Sequence, residues 1–147
     1  MSAAHVAAID HTVQETNIWL KEITKQLHFK EPHHAYSALR AVLHALRDRL
    51  TPDNAVHLGA QLPMLIRGIY YEGWHLAGKP TGDRNVQEFA DHVLAQLPPQ
   101  FPMDPLTVSR GMFEFLALRL DPGEVAKIIE RLPVPLRSLW PQTARLS

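Results

Sequence analysis

The sequence predicts an all-α protein, a helical bundle in which two pseudo-repeats of about four helices each share one core. Apolar residues recur at spacings of three and four along most of the chain, which is the period of an α-helix. No segment alternates apolar and polar residues in the sustained way that is typical of β-strands. The 147 residues have the length of one domain, so we expect a single helical domain over residues 1–147.

An internal repeat also supports this architecture. An offset of 70 residues aligns 17–71 with 87–141 without a gap, and 11 of the 55 aligned pairs are identical, against about 4 expected from composition. Proline is excluded from helix interiors but favoured in first turns, so prolines that recur in register mark the same boundaries twice. These pairs are Pro32/Pro102, Pro52/Pro122 and Pro63/Pro133. Because each half alone is too small to bury a core well, we expect a joint core about a pseudo-twofold axis.

The first half begins with two long amphipathic helices. The first is predicted at about residues 10–27, where Trp19 widens the apolar stripe. The second is predicted at about residues 33–50, where leucines recur at spacings of four, three and four. Both stripes need a partner helix to cover them. The stripe of the first helix consists of Ile9, Val13, Leu20, Ile23 and Leu27.

Two short helices complete the first half. Thr51 is predicted to cap a helix with its side chain, because Pro52 follows it at the first helical position. This helix must end before Pro63, since the residue before a proline is disfavoured in the α conformation. A short fourth helix then carries Arg67 and the aromatic residue that follows it.

The second half is predicted to repeat this order. It begins with a helix at about residues 84–97 and continues with a second apolar stripe that ends at Leu120. Asp121 is expected to cap the third helix, with Glu124 completing a capping box. The short fourth helix again carries an arginine and an aromatic residue. Between the halves, residues 75–83 contain two glycines and one proline, which predicts a loop.

Composition excludes several classes of protein. The 15 basic residues balance the 15 acidic ones, and no dense basic face is present, so a nucleic-acid partner is not expected. Without cysteine, the chain has no disulfide, thiolate metal site or cysteine nucleophile, and it suits the reducing cytoplasm. We also expect neither a secretion signal nor a membrane partner, because no basic and apolar leader and no run of 18 apolar residues occurs.

No residue pattern predicts catalysis, a metal or a cofactor. Nine histidines are present, but none lies in a H-E-x-x-H pattern, and we expect no metal site. Of these histidines, His33 and His34 could be joined in space by His28 or His44. The carboxylates are scattered among polar positions, and the glycine-rich loops that bind phosphates or nicotinamide cofactors are missing.

Six arginines that both halves retain are candidate functional residues. Arg49 and Arg119 close their helices, where a cation complements the partial negative charge of the helix C-terminus. For the other pairs two roles are open: an ion pair or carbonyl contact inside the protein, or the binding of an anion. These other pairs are Arg40/Arg110 and Arg67/Arg137.

The segment 67–75 breaks the symmetry of the repeat. It combines polar aromatic residues with glycine, glutamate and histidine beside the predicted loop, a composition typical of a ligand site or a partner interface. The alternative is that its aromatic rings fill the end of the bundle. The candidate residues are Arg67, Tyr70, Tyr71, Glu72, Trp74 and His75.

Several short motifs together resemble a known bacterial family. They are the runs AVLHALRDRL at 41–50, LGAQLP at 58–63, RGIYYEGW at 67–74 and DPGEV at 121–125, with LP at 132–133 and LWP at 139–141. In combination they are similar to the family called domain of unknown function 2267 (DUF2267). The resemblance covers nearly the whole chain and implies a small helical bacterial protein, without implying an activity.

We therefore expect a non-enzymatic interaction or regulatory module that binds a protein partner or itself. The competing hypothesis is a small-anion sensor or an enzyme that uses Arg67, Tyr71, Glu72 and His75. Because the apolar stripe of the first helix is wider than one packing contact requires, we expect a homodimer through this helix. Trp19, Tyr70 and Trp74 are predicted to take part in that interface.

Overall fold

The computed structural model describes residues 5–145, and every regular element in that range is an α-helix, which confirms the all-α prediction. Residues 1–4 and 146–147 of the predicted domain lie outside the described residues. The helices are α1 (Ala7–Gln26), α2 (Pro32–Arg49), α3 (Pro52–Gly59), α4 (Met64–Tyr71), α5 (Val86–Gln96), α6 (Pro105–Arg119), α7 (Pro122–Glu130), α8 (Val134–Arg137) and α9 (Gln142–Arg145).

Prolines and capping residues set the helix boundaries. Four helices begin with proline as their first residue, and α4 and α8 each begin directly after one. The side chain of Asp121 caps α7 by accepting a hydrogen bond from the Glu124 amide, as predicted. Thr51 makes no side-chain cap, so that prediction is wrong. Thr51 contacts the helix through its carbonyl, which accepts a hydrogen bond from the Ala55 amide at 2.8 Å. Threonine is also a weaker capping residue than aspartate.

The fourth helix differs between the two halves. In the first half α4 includes Tyr70, as predicted, whereas α8 ends at Arg137, before Trp140. After α8 the chain forms a turn whose hydrogen bonds join residues three apart instead of four. In this turn the Trp140 amide donates to the Arg137 carbonyl at 3.2 Å. Pro141 explains this early end, because it disfavours the α conformation at Trp140. Helix α9, which follows Pro141, was not predicted.

Several helix boundaries recur at the 70-residue offset, but α2 begins at Pro32 whereas α6 begins at Pro105 after its capping residue Asp104, so the prediction that Pro32 and Pro102 mark the same boundary is wrong. α1 and α5 end at residues 26 and 96, α2 and α6 end at 49 and 119, and α3 and α7 begin at 52 and 122. The predicted loop at 75–83 is confirmed and lies in the connection between α4 and α5. Superposition of the two halves about a pseudo-twofold axis stays a prediction.

Helix α2 lies at the centre of the bundle. It packs against α1, α3 and α4 of the first half and against α5 and α6 of the second. Aromatic rings fill the space around it: Trp19 meets Phe115 edge-on with centroids 5.3 Å apart, and Phe113 stacks on Trp140 at 4.4 Å. These side chains belong to one continuous buried cluster. Burial of such large rings is a major source of core stability.

Candidate functional site

The segment 67–75 forms the end of α4 and the turn after it, and its most prominent aromatic residue is inaccessible. Tyr70 is fully buried, and its hydroxyl donates a hydrogen bond to the Ala55 carbonyl at 2.6 Å. Burial raises the pKa of Tyr70 far above its usual range. The prediction that Tyr70 contacts a ligand or a partner is therefore wrong, because the bundle needs this ring as core.

The other members of the segment lie between core and surface. Tyr71 and Trp74 are half-buried, with ring centroids 5.6 Å apart. The Tyr71 ring lies over Gly59, where a Cβ atom would collide with the tyrosine hydroxyl. Glu72 and His75 are exposed. The segment therefore has an accessible rim, but the rings that were expected to form its recognition surface largely pack against the bundle.

Arg67 and its repeat counterpart Arg137 bind backbone carbonyls. The Arg67 guanidinium donates to the carbonyls of Gly59 at 3.0 Å and Leu62 at 2.9 Å, where α3 ends. Arg137 contacts the end of α7 in the same way, donating to Leu132 at 3.1 Å and to the Glu130 carbonyl at 2.8 Å. Such contacts satisfy carbonyls that the helix itself leaves unpaired. This role leaves fewer donors on Arg67 for an anion.

The remaining retained arginines also contact protein groups. Arg49 and Arg119 are the last residues of α2 and α6, as predicted. Arg119 additionally lies over the Trp19 ring, 5.8 Å from its centroid. The contacts are Arg40–Glu72 at 3.1 Å, Arg110–Ser138 carbonyl at 2.8 Å, Arg49–Asp83 carbonyl at 2.6 Å and Arg119–Glu22 at 3.0 Å. All six retained arginines thus connect separate parts of the bundle.

A buried charge cluster that the sequence analysis missed consists of Arg47, Asp48, Asp83 and His92. Arg47 donates through Nε to Asp48 Oδ1 at 2.9 Å. The His92 ring lies between two carboxylates, with Nδ1 2.9 Å from Asp83 Oδ2 and Nε2 3.7 Å from Asp48 Oδ2. The cluster joins α2, α5 and the connection between α4 and α5.

The charges in this cluster shift each other's protonation. Burial alone would raise the pKa of Asp48, but its interactions with the His92 ring and with Arg47 outweigh burial and lower that pKa to about 2. In turn Asp48 raises the pKa of His92 against the effect of burial, and Asp83 adds to the increase. At neutral pH the cluster therefore holds two carboxylates against a guanidinium and an imidazole of raised pKa.

One group of exposed apolar side chains lies at the start of α1 and the start of α4. We define the α1 ridge as Val6, Ile9 and Val13 together with Met64 and Leu65 at the start of α4, all of them exposed. Ile9 and Val13 are four residues apart in α1, so they share one face of the helix, and Val6 is the N-cap residue before it. The Leu65 amide donates to Thr12 Oγ1 at 2.9 Å, which places the start of α4 beside this turn of α1.

The C-terminal half of the predicted α1 stripe is largely core. Trp19 is 2% exposed because Phe115 and Arg119 cover it, so its predicted place in an interface is wrong. Ile23 and Leu27 are also buried. A shallow groove of about 690 Å³ lies beside this half of α1. Its lining includes Leu20, Thr24, Phe29 and Pro32.

A model of the protein family described as Uncharacterized conserved protein (DUF2267) matches residues 16–143, which is most of the chain. No curated protein matches this chain. Within residues 5–145, no helix has both the length and the apolar character needed to cross a membrane.

Proposed function

We propose that this chain, which belongs to the DUF2267 family, is a non-enzymatic interaction module that associates with itself through the α1 ridge. The observation that carries the proposal is the exposure of three aliphatic side chains at the start of α1: the N-cap residue Val6 at 55%, and Ile9 and Val13, which share one face of the helix, at 52% and 43%. A contiguous apolar patch usually marks an interface. Met64 and Leu65 extend this one onto a second helix.

Self-association is the simplest way to cover such a ridge. In a twofold dimer the same patch serves both copies, so an aliphatic face meets an aliphatic face and no complementary charge is required. The formal net charge of zero means that long-range repulsion does not oppose the approach of two copies. A regulatory protein partner with an apolar helix would fit the same surface. The cysteine-free composition favours the reducing cytoplasm, and the family resemblance favours a bacterial source.

Light scattering of the purified chain at about 100 μM tests the dimer, since weak association requires concentrations near the dissociation constant. We expect a mass of twice 16.6 kDa for the unaltered chain. The double variant Ile9→Asp/Val13→Asp should return the mass to that of a monomer, because it places charges in the apolar contact. Leu118→Asp is the matched control, since Leu118 is exposed and lies on α6. A monomeric unaltered chain, or a dimer that survives the double variant, would contradict the proposal.

The alternative of a small-anion sensor or enzyme at segment 67–75 has weaker support. Arg67 already binds two carbonyls, Arg40 already pairs with Glu72, and Tyr70 is buried. A thermal-shift screen with phosphorylated and carboxylated metabolites separates the two hypotheses, because a specific ligand stabilises the folded state. Stabilisation by one compound that the His75→Ala variant loses would favour the sensor, whereas an unresponsive chain that dimerises would favour the module.

A further inference from the structure

Three metal-ligating side chains meet at the start of α2. Glu31 is the residue before the helix, and His33 and His34 are its second and third residues. The imidazole rings of the two histidines lie with their centroids 4.3 Å apart, and His33 Nδ1 is 3.1 Å from Glu31 Oε2. One ligand atom from each of the three residues lies within 4.8 Å of the other two.

We propose that Glu31, His33 and His34 bind a divalent transition-metal ion of the zinc type. Zinc takes imidazole nitrogen and carboxylate oxygen at about 2.0–2.2 Å, often with three protein ligands and a water molecule. Neighbouring ligand atoms of a tetrahedron with such bonds lie roughly 3.3 Å apart. The contact between His33 Nδ1 and Glu31 Oε2 already has nearly this length, so one ion fits both atoms. The ligand atom of His34 lies within 4.8 Å of the other two, so a small rotation of the exposed His33 and Glu31 side chains toward it would complete the set.

The surroundings of His34 independently indicate a ligand. Its ring packs against Phe29 at 6.0 Å and meets Phe101 edge-on at 5.7 Å, which holds the imidazole in place. Its Nδ1 atom is buried, and no hydrogen-bond partner for it is found among residues 5–145. Buried polar atoms are rarely left without a partner in folded proteins. A metal ion at this ring would supply one.

The donor set also determines which ions are expected. Two neutral imidazoles and one carboxylate suit zinc, nickel, cobalt or copper, whereas magnesium and calcium prefer oxygen ligands alone. The partial positive charge of the α2 N-terminus opposes a cation here, and the Glu31 carboxylate offsets it. His44, which could have joined the pair, instead donates through Nε2 to the Ile69 carbonyl at 2.7 Å. The site is thus confined to three donors among the four residues 31–34 at one helix start.

Isothermal titration of the full chain with zinc chloride tests the proposal. The titration is done at about pH 7.5, because a histidine binds a metal through its deprotonated imidazole. We expect one equivalent of zinc to bind and magnesium not to bind. His33→Ala and Glu31→Gln should each weaken zinc binding by at least about 10-fold. Even the loss of a residue that only hydrogen-bonds to a metal ligand weakens binding by about 10- to 100-fold. Both side chains are largely exposed, so the variants should keep the helical circular-dichroism spectrum of the unaltered chain.

His11→Ala is the matched control. His11 belongs to another exposed histidine–glutamate pair, with Nε2 2.8 Å from Glu15 Oε1, but it lies outside the three-donor group. This variant should bind zinc as the unaltered chain does. Absence of saturable zinc binding, unchanged binding in both His33→Ala and Glu31→Gln, or its loss in His11→Ala would each overturn the site. Cobalt is a second probe, because tetrahedral ligand-field absorption in the unaltered chain should disappear in His33→Ala.

Discussion

Arg47 shows how the bundle stabilises one fully enclosed charge. Its side chain is 4% exposed, yet its guanidinium donates to Asp48 and to the carbonyls of Tyr70 and Glu72, each at 2.9 Å. Bringing a guanidinium out of water costs several kcal/mol, so an ion pair of this kind adds little net stability compared with an apolar replacement. The partners of Arg47 nevertheless depend on its guanidinium, because without it the buried Asp48 carboxylate would lose the cation that it contacts at 2.9 Å.

Arg47→Ala should therefore destabilise the protein strongly. Removing one partner of a buried ion pair typically lowers the free energy of unfolding by about 3–5 kcal/mol. Arg110→Ala is the comparison, since Arg110 is exposed and contacts only the Ser138 carbonyl among its hydrogen bonds, so we expect a loss of about 1 kcal/mol or less. Urea unfolding followed by circular dichroism measures both values. Equal losses in the two variants would mean that burial of Arg47 has no energetic consequence.

Elements of the two halves allow a direct comparison of helix caps. Asp121 caps α7 through its side chain, whereas Thr51, at the equivalent position before α3, does not. Asp121→Ala should thus lower the free energy of unfolding by about 1 kcal/mol, the usual loss for a capping side chain. Thr51→Ala should lower it by less than about half of that, because no cap bond is lost. Urea midpoints of the two variants give the answer, and a larger loss from Thr51→Ala would contradict this assignment.

The sequence was sufficient to predict the elements that are long or bounded by proline. α1 to α7 have either several turns of apolar periodicity or a proline at the start, and both signals are local. α8 was predicted from Pro133, although it ends at Arg137 before Trp140, whereas α9, with four residues, is too short for periodicity to be recognised. Similarly, periodicity identified the apolar stripe of α1 but not which half of it is exposed. That depends on Phe115 of α6, which covers Trp19.

The buried charge cluster escaped prediction because its members are distant in sequence. Asp83 and His92 come from the connection before α5 and from α5 itself, and only tertiary packing brings them to Asp48. A usable signal was present in α2. Apart from Arg40 and His44, residues 38–46 are all alanine, valine or leucine, an apolar content that is typical of a largely enclosed helix. Charged residues at 47 and 48 in such a helix must be paired, since unpaired charges are almost never buried.

Across the whole molecule, the charge cluster connects the two halves. Besides its ion pairs, the Asp48 carbonyl accepts from the Thr81 amide at 2.8 Å, and the Asp83 carbonyl accepts from Arg49. The connection between α4 and α5 is therefore fixed to the central helix at several points. Because His92 lies within this arrangement, its protonation affects the stability of the joined halves.

His44, which is buried, and His92, which is half-buried, should give stability a maximum at about pH 6.5, with opposite slopes on either side. The folded-state pKa of His92 is raised by Asp48 and Asp83, so its stabilisation is complete below about pH 6.5 and is lost as pH rises through that folded pKa. Burial lowers the pKa of His44 despite its bond to the Ile69 carbonyl, and Arg47 and Arg40 add to this. The unfolded state therefore binds more protons at His44, and stability falls as pH drops below about 6.5.

Thermal unfolding between about pH 5 and pH 9 tests this profile, a range that spans the ordinary histidine pKa of about 6.5. His92→Asn should remove the decline of the melting temperature above about pH 6.5 while leaving the decline below it, because the lowered pKa of His44 is unaffected by this change. His11→Ala, which removes an exposed histidine, should reproduce the profile of the unaltered chain. A melting temperature that keeps rising from pH 6.5 to pH 8.5 in the unaltered chain would show that His92 is not held protonated between Asp48 and Asp83. In that case the cluster would keep the ion pair of Arg47 with Asp48, but a protonated His92 would not connect the two halves.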